Sequence, residues 1–369
     1  MENQYYRSAN NEIPQRFKPH LQEDSILGDV ARGLKGENNG VIMPTEKMSK
    51  LLGDVTQGRY ILVAADSGVG KTTLTDFYFT WNAFAAQTLG APVHIHYESW
   101  EISKVAKRAK LASYLMWLKF QERVTTDQIL HKSGHRLTSE QLNKLEQVAP
   151  SIEEFFVKNS FNENPLKPSE FEDFLLEYAA KHGKFKLEGG QIVGYIPNNK
   201  KAIHMFVIDH IALCDQDARQ TLKDSMDAIS KIMVRFRNLC NFTFVVVQQF
   251  NTSLQNANRD GNTNENSIAP QRLDFGDSKY TYRDACMILG LVKPNQFDLM
   301  TYMQYDLSVW DDQIIGIYIM KNRSGKSNKL IVAQPDYLTG NFRELPDPLL
   351  FMRNQNLYRE WLLPLSENE

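Results

Sequence analysis

The sequence predicts an α/β fold, a central and mostly parallel sheet flanked by helices. Three observations predict it. Ile61 to Ala65 is a short apolar run that leads into a glycine-containing turn, Asp66 to Gly70, and then a helical pattern opening at Lys71. His204 to Asp209 is a second apolar run, and it ends in a carboxylate. A helical pattern from Leu222 to Leu239 connects it to a third run, Phe242 to Val247. Apolar runs that alternate with helical stretches read as strand–helix–strand units, whose parallel strands are buried on both faces.

The 369 residues have room for one large α/β domain or two ordinary ones. The expected organisation is an arm over 1–38, the α/β domain over 39–345 and a tail over 346–369. Apolar and charged fractions of 42% and 23% are those of a soluble globular protein. No apolar run approaches the roughly 20 residues that span a bilayer, and Met1 to Asn11 is too polar for a signal peptide. The formal net charge of −2 excludes a broad basic footprint for nucleic acid but leaves room for a local basic groove. Cys214, Cys240 and Cys286 are widely spaced, with no CxxC pair. That pattern suits a reducing cytoplasm and argues against a disulfide framework and a structural zinc site.

In the arm, Ile26, Leu27, Val30, Ala31 and Leu34 repeat at helical spacing after a cap at Asp24 or Ser25, before Gly33, Gly36 and an Asn-Asn-Gly turn. So short a helix is marginal alone, so it docks on its own domain or on a neighbouring subunit. Tyr60 to Thr73 then reads YILVAADSGVGKTT. This is a phosphate-binding loop in its proper setting, strand before and helix after. Ala65, Asp66, Ser67, Gly68, Val69, Gly70, Lys71, Thr72 and Thr73 form it. Gly68 and Gly70 let the backbone curl its N–H groups inward, and the helix N-terminus adds partial positive charge. Lys71 is expected on the β- and γ-phosphates and the Thr72 hydroxyl on Mg²⁺. Ala65 stands where such loops usually have their first glycine, which suits a position with negative φ.

Leu74, Phe77, Tyr78, Trp81 and Ala85 give the next helix a core face. The strand Val93 to Tyr97 ends in Glu98-Ser99-Trp100-Glu101. A carboxylate at such a strand end can position or deprotonate the water that attacks a γ-phosphate. Glu98 and Glu101 are both candidates, Glu98 being nearer the strand end. Either could instead cap the next helix, for which Ser103 is an equal start. His94 and His96 share a face of this strand. With no further ligand in view they read as packing histidines rather than a metal pair, as do His131 and His135.

Lys104 to Pro150 is helical in pattern, with a capping box from Thr138 to Gln141. Phe155-Phe156-Val157 reads as a strand, Ser169 opens a helix closed by Gly183, and Phe185 to Pro197 reads as a hairpin. Asp209 ends its strand at the sheet's carboxyl edge, where a second Mg²⁺-holding group is wanted. Gln249 lies at the tip of the strand from Phe242, placed to sense a γ-phosphate. The polar stretch Asn251 to Arg272 is longer than an ordinary loop, as binding loops are. Leu273 to Leu289 returns as helix then strand. Ile314 to Met320 is another strand, with Lys321-Asn322-Arg323-Ser324-Gly325 beyond it as an anion clamp or a solvated basic turn, and Leu330 to Val332 pairs with it. Apolar clusters Leu349-Leu350-Phe351 and Trp361-Leu362-Leu363 equip the tail to dock.

Several of these stations, in this order, resemble the RecA-type motor domain of hexameric replicative DNA helicases of the DnaB and phage T7 gene 4 types, helicase superfamily 4. The resemblance runs over roughly residues 40 to 345. Gly40 to Thr45 resembles the opening of that domain, ADSGVGKTT its phosphate loop and IHYESWEIS the strand of its catalytic glutamate. VIDHIAL resembles its metal-binding strand, QQFN its sensor tip, DSKYTYRDAC its DNA-loop helix and KNRSG its finger turn. The resemblance implies a RecA-like P-loop NTPase that binds ATP or another NTP with Mg²⁺ and travels 5′ to 3′ on single-stranded DNA. It implies a homo-hexamer ring in which Lys321 and Arg323 reach a neighbour's nucleotide, and primase, polymerase or loader partners in a bacterial or phage-infected cell. The family's loop arginine is missing from Phe275 to Lys279, leaving Lys279 or Arg272 for DNA. Residues 1–38 have room only for the family's linker helix. A RecA-like recombinase filament and a non-motor ATP-binding assembly protein are the alternatives.

Overall fold

Tyr60–Ala65 (β1) is wholly buried, and its side chains alternate between two cores. Ile61 and Val63 face one layer of helices; Tyr60, Leu62 and Ala64 face the other. A strand covered on both faces must be apolar at every position, which is why this run carries no polar alternation. The computed structural model describes residues 4–7, 12–15, 25–250, 265–276, 279–353 and 360–362.

The other strands of the same sheet are Val93–Ser99 (β2), Ser160–Asn162 (β3), Ile203–Asp209 (β4), Thr243–Gln249 (β5), Met287–Val292 (β6), Ile315–Asn322 (β7), Lys329–Asp336 (β8) and Asn341–Glu344 (β9). The nine lie in the order β9-β8-β7-β6-β1-β5-β4-β2-β3. From β6 to β3 every pairing is parallel. From β6 to β9 every pairing is antiparallel, a hairpin extension of the edge. The fold is therefore α/β with a mixed, mostly parallel sheet, as expected.

Helices Ile26–Leu34 (α1) and Glu46–Leu52 (α2) precede β1. The helix after the turn (α3, 71–88) is α over Lys71–Thr75, widens to π over Asp76–Trp81, and is α again over Asn82–Thr88. Lys104–Phe120 (α4) and Ser139–Lys158 (α5) share its side of the sheet, whereas Pro168–His182 (α6) and Leu222–Cys240 (α7) cover the other. Lys279–Asp284 (α8) leads into β6.

Local signals explain most boundaries. Ser25 Oγ accepts the Gly28 N–H at 3.1 Å and starts α1, whose Ile26 and Val30 stay exposed. The capping box at Thr138 and Gln141 starts α5. Three expectations need correction. Phe155-Phe156-Val157 is not a strand but the last turn of α5, which runs on through Pro150 and buries Phe155 against Trp81 and Phe84. Helix between Lys104 and Pro150 is broken after Phe120 by Gln121, which takes left-handed dihedrals. Lys321 lies inside β7 rather than beyond it. The tail docks as expected: Phe351 is buried, Trp361 packs edge-on against it, and the Trp361 carbonyl accepts Gln334 Nε2 at 2.7 Å.

Candidate nucleotide site

The turn after β1 is built around two left-handed residues, Gly68 at φ 75° and Gly70 at φ 101°. Ala65 is still in the extended β1, so its methyl costs nothing there. The Lys71 ammonium donates to the Asp66 carbonyl at 2.7 Å, spanning the base of the turn. Burial lowers the Lys71 pKa, while the carboxylates of Glu101, Asp209 and Asp66 act to raise it. Asp66 is itself raised by burial. Ser67 and Gly68 are exposed, Val69 is buried, and Thr73 is half-buried in the first turn of α3.

Thr72 Oγ1 donates to Asp209 Oδ1 at 3.2 Å, joining the phosphate turn to the tip of β4. A hydroxyl and a carboxylate at this spacing are hard oxygen donors, a set that fits Mg²⁺. Asp209 is fully buried and tied inward by a relay that its position in the sequence does not reveal. The Tyr97 hydroxyl, which has one proton to give, lies 3.1 Å from both Asp209 Oδ2 and Asp76 Oδ1. Lys107 Nζ donates to Asp76 Oδ1 and Oδ2 at 3.0 and 2.9 Å and to the Tyr97 oxygen at 2.7 Å. Burial and the two carboxylates raise the Tyr97 pKa well above its ordinary value, so the hydroxyl remains a donor. A lysine on an amphipathic helix reads as solvated; only the assembled core shows Lys107 to be buried.

The two glutamates are set apart by burial. Glu98 is 1% exposed and its oxygens are already engaged: Oε1 meets His96 Nε2 at 2.7 Å, and Oε2 accepts Trp100 Nε1 at 2.9 Å and Asn162 Nδ2 at 2.6 Å. Glu101 has a half-exposed side chain, lies 3.9 Å from His210 Nε2, and is foremost among the carboxylates acting on Lys71. The geometry thus favours Glu101 over Glu98, which sequence position had put first. Gln249 is exposed and pairs in register with Ala65, while the Phe250 N–H donates to the Ala65 carbonyl at 3.0 Å. Its neighbour Gln248, buried, accepts Thr281 Oγ1 at 2.7 Å and so links β5 to α8. Tyr337, beyond β8, donates to the Val69 carbonyl at 3.1 Å; a Cβ on Gly70 would meet its ring at 2.7 Å. No sequence signal marks it.

Lys321 and Arg323 sit elsewhere. Lys321 Nζ donates to the carbonyls of Tyr282 and Arg283 at 2.9 and 2.8 Å, and Arg323 Nη2 to that of Arg283 at 2.9 Å, so both close the C-terminus of α8. Burial, and then Arg323, lowers the Lys321 pKa to about 8. Arg272 stacks 5.7 Å from the Tyr282 ring, beside this pair. The Lys279 side chain and residues 251–264 of the Asn251 to Arg272 stretch lie outside the described residues.

Of the histidines, His131 and His135 are a loop pair as expected. His94 is different. Its ring is not paired with His96 but lies 4.9 Å from His204 and 5.2 Å from His182. Burial lowers the pKa of all three, that of His204 to about 3. The further imidazoles beside His94 that sequence spacing does not show come from β4 and α6.

By sequence, no protein-family model and no curated protein matches the chain. By structure, it is similar to DnaB-like replicative helicase ATPase domains. The ATPase domain of G40P superposes with a TM-score of 0.60 at 15% identity, over 81% of this chain and 89% of that one. A DnaB-like replicative helicase solved for its interactions with primase superposes with a TM-score of 0.64 at 15% identity, over 89% of this chain and 70% of that one. The likeness establishes a RecA-like fold. Among the described residues no helix is long and apolar enough to cross a membrane.

Proposed function

We propose that this protein is an ATP hydrolase that assembles as a ring, draws single-stranded DNA through it 5′ to 3′ and separates duplex DNA during replication. The observation that carries this reading is the distance between the phosphate loop and the basic turn. The Arg323 N–H donates to the Cys286 carbonyl and the Cys286 N–H to the Tyr60 carbonyl, which sets the Arg323 backbone level with the start of β1, and the Lys321 ammonium turns to that end to bond the Tyr282 and Arg283 carbonyls. The loop leaves β1 at its other end, after Ala65. Five residues of strand separate the two by about 17 Å. Cations on that edge cannot serve the nucleotide of their own chain, but in a head-to-tail ring they face the next one.

The roles follow. The loop N–H groups, the start of α3 and Lys71 hold the β- and γ-phosphates. Thr72 and Asp209 would hold Mg²⁺, which when bound screens phosphate charge. Glu101 orients and deprotonates the attacking water. Arg323, with Lys321, comes from the neighbour to stabilise the charge of the transition state. Gln249 senses the γ-phosphate beside Ala65, and the Gln248–Thr281 bond passes its state to α8 and the DNA-contacting segment with Arg272 and Lys279. Primase, polymerase or loader contacts, suggested by the DnaB-like complex, belong to the same reading.

The deciding experiment pairs ATP hydrolysis, with and without single-stranded DNA, with strand displacement on a forked duplex. Several-fold stimulation together with displacement is expected. Hydrolysis indifferent to DNA, with the fork intact, would overturn the motor and leave an ATP-binding assembly protein.

A further inference from the structure

The edge of the sheet opposite the nucleotide site holds three imidazoles from three different elements. His94 of β2 and His204 of β4 are register partners on adjacent strands, and their rings lie within 9° of parallel. His182, the last residue of α6, closes over both, 5.2 Å from His94 and 4.7 Å from His204 between ring centroids. One ring nitrogen from each lies within 4.8 Å of those of the other two. The Tyr178 hydroxyl meets His204 Nδ1 at 3.0 Å; when the hydroxyl accepts the Nδ1–H, the Nε2 lone pair is left for another partner. A hydrogen bond to the far nitrogen is how metal-bound histidines are oriented.

From this we propose a binding site for a divalent first-row transition metal, with Zn²⁺ the expected ion, ligated by His94, His182 and His204. Three neutral imidazoles are a zinc donor set. Hard ions such as Mg²⁺ prefer oxygen, so the site does not compete for the nucleotide's metal. The His94 and His204 rings as they stand are too nearly parallel for their lone pairs to converge, whereas His182 is inclined to both. A rotation about χ2 of His94 corrects this, and such torsions are broad and soft. A water as fourth ligand would enter from the cavity of about 520 Å³ that His204 also lines, between α1 and the hairpin Gly183–Glu188/Gln191–Pro197. The bound ion would clasp the end of α6 to the sheet, and with it the hairpin that follows directly.

The test uses untagged full-length protein, since a histidine tag would supply the same ligands. After equilibration with Zn²⁺ and gel filtration, about one equivalent is expected to remain, and the thermal midpoint should rise. Co²⁺ in its place should give the intense visible bands of a tetrahedral site. His182→Gln, at a helix end where glutamine is tolerated, should remove the retained metal, the bands and the thermal shift together. Lys71→Ala, in the nucleotide site, should remove none of them. His94→Gln gives a second, independent ligand loss should either variant melt early. Zn²⁺ that washes away, or a full equivalent still held by the folded His182→Gln protein, would overturn the site.

Discussion

Glu98 and Glu101 carry the same group three residues apart, and their surroundings assign them different work. Glu98 accepts from Trp100 and Asn162 and contacts His96, so both of its oxygens are engaged and the buried group is turned away from a substrate water. Glu101 stands in reach of water, with its charge acting on Lys71 and His210. Replacing Glu101 with glutamine is expected to cut kcat by roughly 10²–10⁴-fold, the usual weight of a positioned base. Nucleotide affinity should hardly change. Glu98→Gln presents an amide to donors that want a carboxylate. It should therefore lower stability by about 1–3 kcal/mol while hydrolysis survives. Steady-state kinetics beside denaturant melts of both variants separate the two effects. Loss of turnover in Glu98→Gln with an unchanged melt would reverse the assignment.

At the scale of elements, the relay Lys107–Asp76–Tyr97–Asp209 binds α4, α3 and β2 to the tip of β4, where the proposed function places Mg²⁺. Lys107 and Asp76 are both buried, so removing the cation strands a carboxylate in the core. Lys107→Met is expected to cost about 3–5 kcal/mol and, by freeing Tyr97, to raise the Mg²⁺ concentration needed for hydrolysis. Adding Asp76→Leu should restore much of the stability, since a buried pair can be exchanged for apolar packing. It should not restore the Mg²⁺ requirement, because Tyr97 would still lack the Lys107 ammonium that donates to its oxygen. A double-mutant cycle read by urea melts and Mg²⁺ titrations tests both halves. The strand–turn–helix at β1 was legible in the sequence because its logic is local: an apolar strand, two left-handed glycines and a helix start. The relay was not, because a lysine's fate depends on which helix covers it. Phe155 shows the same limit from the other side, since its apolar run fits a strand until α5 continues past Pro150 to bury it. His182 and His204 lie 22 residues apart in the chain, and only the closure of α6 onto β4 brings them to His94.

On the scale of the whole molecule, the sheet separates the phosphate-loop motif from the two cations that the proposed function assigns to a neighbour's site. The phosphate loop lies at one end of β1, and Lys321 with Arg323 lie at the other, closing α8. Two variants make this division measurable. Lys71→Ala loses its own phosphate grip but keeps its cations; Arg323→Ala keeps the grip and lends nothing. Each alone is expected to show no DNA-stimulated hydrolysis, while Arg323→Ala still binds nucleotide. Mixed in equal amounts and allowed to exchange subunits, they should regain activity. In a head-to-tail ring about a quarter of the interfaces would then pair an intact loop with an intact finger. A chain that completed its own site could not be rescued in this way, because every copy in the mixture carries one of the two lesions. Recovery should rise with exchange time and vanish when Arg323→Ala is mixed only with itself. A mixture as silent as its components after full exchange would place both cations outside the reaction and remove the physical reason for a ring.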